Sequence, residues 1–84
     1  MKRQVYSVKD VKVSVFHAPM LLLNDAEARR VFSDVIADPQ SPLAKHPADF
    51  TLYRLGEFDD NSGGLSICAQ PEFICDAVEF VSKI

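Results

Sequence analysis

Histidine, cysteine and clustered carboxylates are the side chains here with chemistry for catalysis or metal binding, and their spacing argues against both uses. His17 and His46 stand 29 residues apart. A catalytic imidazole needs a nucleophile or carboxylate held against it, yet the chain has no nucleophile elbow, no HExxH and no Cys–His spacing. Cys68 and Cys75 lie seven apart without a second pair, which is neither a zinc pattern nor a disulfide framework, so they read as reduced thiols. Glu57, Asp59 and Asp60 lack the ligand order of a calcium loop and read as a solvated turn. Gly56, Gly63 and Gly64 cannot build a phosphate cradle. These absences predict a protein that is not an enzyme and carries no metal and no cofactor.

The residue types suit binding better. Tyr6 and Tyr53 fall on extended segments, and with Lys9, Lys12 and Arg54 they can form a platform on which bases of single-stranded DNA stack. The competing expectation is that both tyrosines are core residues with hydroxyls at the rim. Lys2, Arg3, Arg29 and Arg30 add positive charge that can reach phosphates, although exposed arginines on a polar helix face explain the last two equally well. Residues 1–30 carry six bases against three acids, net +3, whereas residues 31–84 carry three bases against nine acids, net −6. A protein coating nucleic acid by charge alone is normally basic overall, and this chain is net −3. Any contact with DNA is therefore local.

The elements that must position these groups are legible from periodicity. "RQVYSVKD" alternates, with Val5, Ser7 and Lys9 opposite Tyr6 and Val8, and predicts a strand. "VKVSVFHAPMLLLN" is also extended and folds back as a hairpin through a turn near Asp10 to Lys12; Pro19 places its second half at a sheet edge. "NDAEARRVFSDVIADP" predicts a helix, with Asn24 as N-cap, Glu27 three residues on, an apolar stripe of Ala28, Val31, Phe32, Val35 and Ile36, and Pro39 as stop. "DFTLYRLGEFD" is apolar on both faces near its middle and predicts a central strand. "DDNSGG" is a hairpin turn and "LSICA" a returning strand. Pro71 then suits the first position of a second helix over "PEFICDAVEFVSKI", whose apolar face covers the sheet or docks on a partner.

The sum is one α+β domain over residues 1–84: an antiparallel sheet of about four strands with two helices, in the order ββαββα. A chain of 84 residues with 48% hydrophobic residues has enough apolar surface for one core and none to spare. No apolar run is long enough to span a membrane, and the first ten residues do not read as a signal peptide, so a soluble protein is expected.

"VYSVKD" and "DPQSPLAKHPADFTLYRLGEFDD", with the helix between them, resemble the small nonstructural protein of gokushoviruses, tailless single-stranded DNA microviruses of bacteria. Its members share a VFSV-like opening, a DP-x-SP connector, a K-H-P-x-D element and an L-G-E-F-D strand ending. The resemblance covers roughly residues 4–60. It implies a nonenzymatic viral protein of the host bacterial cytoplasm, a counterpart of the microvirus protein C, which switches replication to single-stranded product and couples synthesis to packaging. The implied partners are single-stranded DNA and viral replication or procapsid proteins; a homo-oligomer through an edge strand or the last helix is the alternative without DNA. The proline-rich connector between helix and third strand is stiff, and Ser41, Lys45, His46 and Asp49 are expected to form an exposed polar rim on it that suits recognition.

Overall fold

The computed structural model describes residues 1–81. Its α+β class and antiparallel sheet are those expected. Five strands form the sheet: β1 (Lys2–Asp10), β2 (Val15–Phe16), β3 (Met20–Leu22), β4 (Phe50–Asp59) and β5 (Leu65–Asp76). The order is β2-β1-β4-β5, with β3 also pairing to β1. The segment expected as one second strand is split in two, and both pieces lie along the outer side of β1. Pro19 stands in the gap, where its missing N–H costs no ladder bond.

β4 is central, as its two-sided apolar pattern implies, and pairs with β1 and β5 on either side. Gly63, at φ 77°, takes the left-handed position in the β4–β5 turn.

Helix α1 (Asp25–Ala37) starts where the capping signal puts it: the Asn24 side chain accepts from the Glu27 N–H at 2.9 Å. Glu27 in turn accepts from the Leu23 N–H. Ala28, Phe32 and Ile36 are buried against Tyr6, Val8, Phe50, Leu52 and Cys75 of the sheet. The connector supplies the second helix, α2 (Pro42–Lys45), followed by a 3-10 turn, Pro47–Asp49. Proline begins both elements, where no N–H is required. Leu43 enters the core, and the Asp49 carbonyl accepts from the Val11 N–H at 2.8 Å. The stiff segment thus ties the helix to the sheet.

The expected helix from Pro71 does not form. Residues Pro71–Asp76 continue β5, and a 3-10 turn, Ala77–Phe80, follows; residues 82–84 lie outside the described part. Arg54 pairs with Glu72 and Gly56 with Ile67. Two steps along β4 therefore match five along β5, and the surplus is a bulge at Cys68–Pro71. Proline is tolerated in such a bulge and on an edge. Cys75 and Ala77 point into the core, which gives this segment the burial that a helix face would otherwise supply.

The helices cover one face of the sheet. The other face is open. Among the described residues no helix is long and apolar enough to cross a membrane.

Candidate functional site

Register decides which side chains share the open face. Ser7 pairs with Tyr53, Lys9 with Phe16, and Tyr53 with Phe73, and paired residues project to the same side. Phe16 and Tyr53 sit two strands apart, yet their rings meet edge to face at 5.6 Å between centroids. They meet because Ser7, on the intervening strand, is small; it is fully buried and donates its hydroxyl to the His17 carbonyl at 2.6 Å. Phe73 continues the row, 6.4 Å from Tyr53. The Lys9 ammonium lies 5.5 Å from the Phe16 centroid, within cation–π range. Gln70 and Pro71 close the far side of a shallow depression over Lys9, Phe16 and Tyr53. An aromatic row on an exposed sheet with a cation at its end can stack planar groups and hold one anion beside them.

The residues expected to bind nucleic acid are dispersed. Tyr53 and Lys9 are in the row, and Lys12 is exposed in the turn that follows β1. Among the described residues neither lysine forms an ion pair. Tyr6 is not a stacking residue: it is fully buried on the helix side and its hydroxyl donates to Asp25. Burial first, and the Asp25 carboxylate second, push its pKa well above the ordinary phenol value. A two-tyrosine platform fails because the ladder pairs Tyr6 with Arg54, not with Tyr53.

Arg54 is occupied on the helix side. It donates to Gln4 at 2.7 Å, to Cys68 at 3.2 Å and to Glu72 at 3.1 Å. Burial pulls its pKa down, but the hydrogen bond to Glu72 together with the nearby Cys68, Glu72 and Tyr6 outweighs this and holds it above the ordinary value. Lys2 is paired with Glu57 at 3.4 Å and Arg3 with Asp60 at 3.6 Å. Arg29 donates to the Ile74 carbonyl at 3.0 Å; Arg30 is exposed on the same helix. Both arginines belong to α1, which lies over the covered face.

The connector rim is smaller than expected. Ser41 is buried and accepts from the Leu43 N–H as the cap of α2, so it is a structural residue. Lys45 and His46 are exposed and Asp49 is half-buried.

Phe16 and Phe73 are the site residues that sequence reasoning missed. Phe16 carried a signal, since it alternates with Val15 and His17; Phe73 carried a misleading one, because it stood on the expected helix. The acids Glu57 and Asp60 lie against Lys2, Arg3 and the Met1 amino group. Among the described residues no group of three or more His, Cys, Asp or Glu side chains is arranged to hold a metal ion.

Comparison with curated proteins and with solved structures gives no match. Residues 3–80 match the model of the Phage ORF5 protein family. That span covers nearly the whole sheet and both helices, and the chain belongs to this family of phage proteins.

Proposed function

We propose that this phage protein acts without enzymatic chemistry in viral single-stranded DNA synthesis and packaging, laying unpaired bases on the open face of its sheet. The observation that carries this reading is the Phe16–Tyr53–Phe73 row with Lys9 at its end. Stacking on exposed aromatic rings is tolerant of sequence and contributes roughly 1–3 kcal/mol per base. Lys9 and Lys12 are the cations left to meet phosphates at that end. Two phosphate contacts make binding weak and only mildly dependent on salt, as the overall negative charge requires. The gokushovirus resemblance of residues 4–60 supplies the biological setting.

Binding of a labelled oligo(dT) followed by fluorescence anisotropy tests this. With two phosphates neutralised, log K falls with log salt at a slope of about −1.4, so affinity drops roughly 7-fold between 50 and 200 mM salt. Tyr53→Ala weakens binding by about 5-fold to 100-fold, while Lys2→Ala leaves the salt slope unchanged. Undetectable binding at low salt, or binding indifferent to Tyr53, removes DNA from the proposal.

A second reading, an adaptor that meets a host or procapsid protein, draws on the exposed Lys45 and His46 of the connector. Capture of the same viral protein from infected cells before and after nuclease treatment favours it over DNA bridging.

A further inference from the structure

The half of the open face nearest the β4–β5 turn has a different character from the aromatic row. Val5, Pro19, Leu55, Leu65, Ile67, Cys68 and Pro71 enclose a groove of about 290 Å³ with no charged side chain in its lining. Leu65 and Ile67 form its outer wall and are 59% and 67% exposed. These are large fractions for aliphatic side chains on a 9.4 kDa protein, where burial of such surface is the main source of stability.

We propose that this groove is the contact surface for a second copy of the chain, each copy placing its Ile67 in the groove of the other. Three observations select that occupant. The wall of the hollow carries an aliphatic residue, Ile67, that is itself 67% exposed, so one patch offers both a recess and a side chain to fill the recess of an identical patch, as a two-fold contact needs. The lining is uncharged, so two copies meet there without like-charge repulsion despite a net charge of −3 on each. The backbone edge points to the same place. Farther along β5 the edge is closed to pairing by the bulge, by Pro71, and by Arg29 on the Ile74 carbonyl. Only the stretch Leu65–Ile67, beside the groove, is left as regular outer edge.

The area fits a weak dimer. Leu65 and Ile67 offer on the order of 200 Å² of surface per copy, well below the roughly 800 Å² per partner of a standard stable interface, so the association is a weak one. The sheet is long enough for both uses of its face, since β4 runs for ten residues, about 33 Å at the rise of an antiparallel strand. The groove adjoins the depression over the aromatic row at Pro71 alone, so a contact centred on Ile67 leaves Phe16, Tyr53 and Phe73 outside it, and the inference does not depend on DNA binding.

Sedimentation equilibrium of the full chain over about 1–500 μM tests it. The expected result is a reversible monomer–dimer equilibrium with Kd in about the micromolar range. Ile67→Glu should raise that Kd by about 100-fold or more by burying a charge, and Tyr53→Ala should leave it unchanged. A wild-type chain that stays monomeric throughout overturns the proposal, as does a dimer that survives Ile67→Glu with the far-ultraviolet circular dichroism intact. Should Ile67→Glu misfold, Ile67→Ser and Leu65→Ser give the same readout without a buried charge.

Discussion

The two tyrosines show at the scale of single residues how one polar atom sorts equivalent side chains into different roles. Tyr6 is fully buried with its hydroxyl on the first turn of α1, so it links strand and helix; Tyr53 is half-exposed among phenylalanines. Removing the Tyr6 hydroxyl leaves Asp25 without that donor, and a hydrogen bond to a charged group contributes about 1.5–3 kcal/mol. Tyr6→Phe is expected to lower the unfolding free energy by about 1–2 kcal/mol, discounted because Asp25 stays accessible to water. Tyr53→Phe should change it by less than about 0.5 kcal/mol. Urea titration of the two variants checks the contrast, and equal losses would mean that the Asp25 contact contributes nothing. Cys75 obeys the same burial logic: enclosure in the core pushes its thiol up to about 11, which keeps it protonated and inert at neutral pH. Ser41 was legible as a polar residue in a proline-rich segment, but its role was not. Its side chain turned inward because Pro42 starts a helix that leaves the Leu43 N–H needing an acceptor.

At the scale of elements, the pairing of the edge strand β5 with the central β4 depends on one glycine. A Cβ built on Gly56 would stand 2.1 Å from the Ser66 carbonyl oxygen and 3.1 Å from the Ile67 Cα. Both neighbours are backbone, so neither can swing away as a side-chain tip would. Gly56→Ala must pry β5 from β4 beside the bulge, and a loss of about 2–4 kcal/mol is expected. Gly64→Ala, whose nearest neighbour is the Ser62 hydroxyl at 3.1 Å, should cost less than about 1 kcal/mol. Thermal unfolding of both variants decides the matter, and similar melting temperatures would refute the close-approach account. This bulge also explains where sequence reading stopped. Helix α1 was legible because its cap, apolar stripe and stop are local signals. "PEFICDAVEF" carries a helical spacing too, but its ladder partners lie some 25 residues away: Leu52 opposite Cys75 and Thr51 opposite Asp76, with the Thr51 hydroxyl donating to Asp76 at 2.8 Å. Those long-range bonds outweigh a local periodicity. The open-face row was hidden for the same reason, since it exists only once register places Phe16, Tyr53 and Phe73 together.

For the whole molecule, folding converts an asymmetry along the chain into a different one in space. The basic start and acidic remainder suggest a positive end, yet the β1–β4 pairing brings Glu57, Asp59 and Asp60 back alongside Lys2, Arg3 and Met1. The charges of Lys2, Arg3 and the Met1 amino group are cancelled there, and Lys9 and Lys12 remain at the opposite end of β1. The three carboxylates are each held below their ordinary pKa, by neutral hydrogen-bond donors as well as by charge. Glu57 is held by hydrogen bonds from Gln4 and then Lys2, Asp59 by the Asn61 backbone N–H, and Asp60 by the Met1 amino group and then Arg3. A carboxyl group whose pKa is lowered by folding binds fewer protons in the native state than in the unfolded one. Its contribution is therefore complete above the unfolded value and is lost as pH falls through the folded one. The melting temperature should stay nearly level from about pH 7 to 5, then fall progressively through and below the ordinary carboxylate range of about 4. All three groups are solvent-accessible, so the fall is modest and is weakened by salt. Replacing the two of these that pair with basic groups, by Glu57→Gln and Asp60→Asn, should reduce that acid limb while leaving affinity for oligo(dT) at neutral pH intact. Melting curves across this range test the account, and an acid limb unchanged by the double substitution would place the responsible carboxylates elsewhere in the fold.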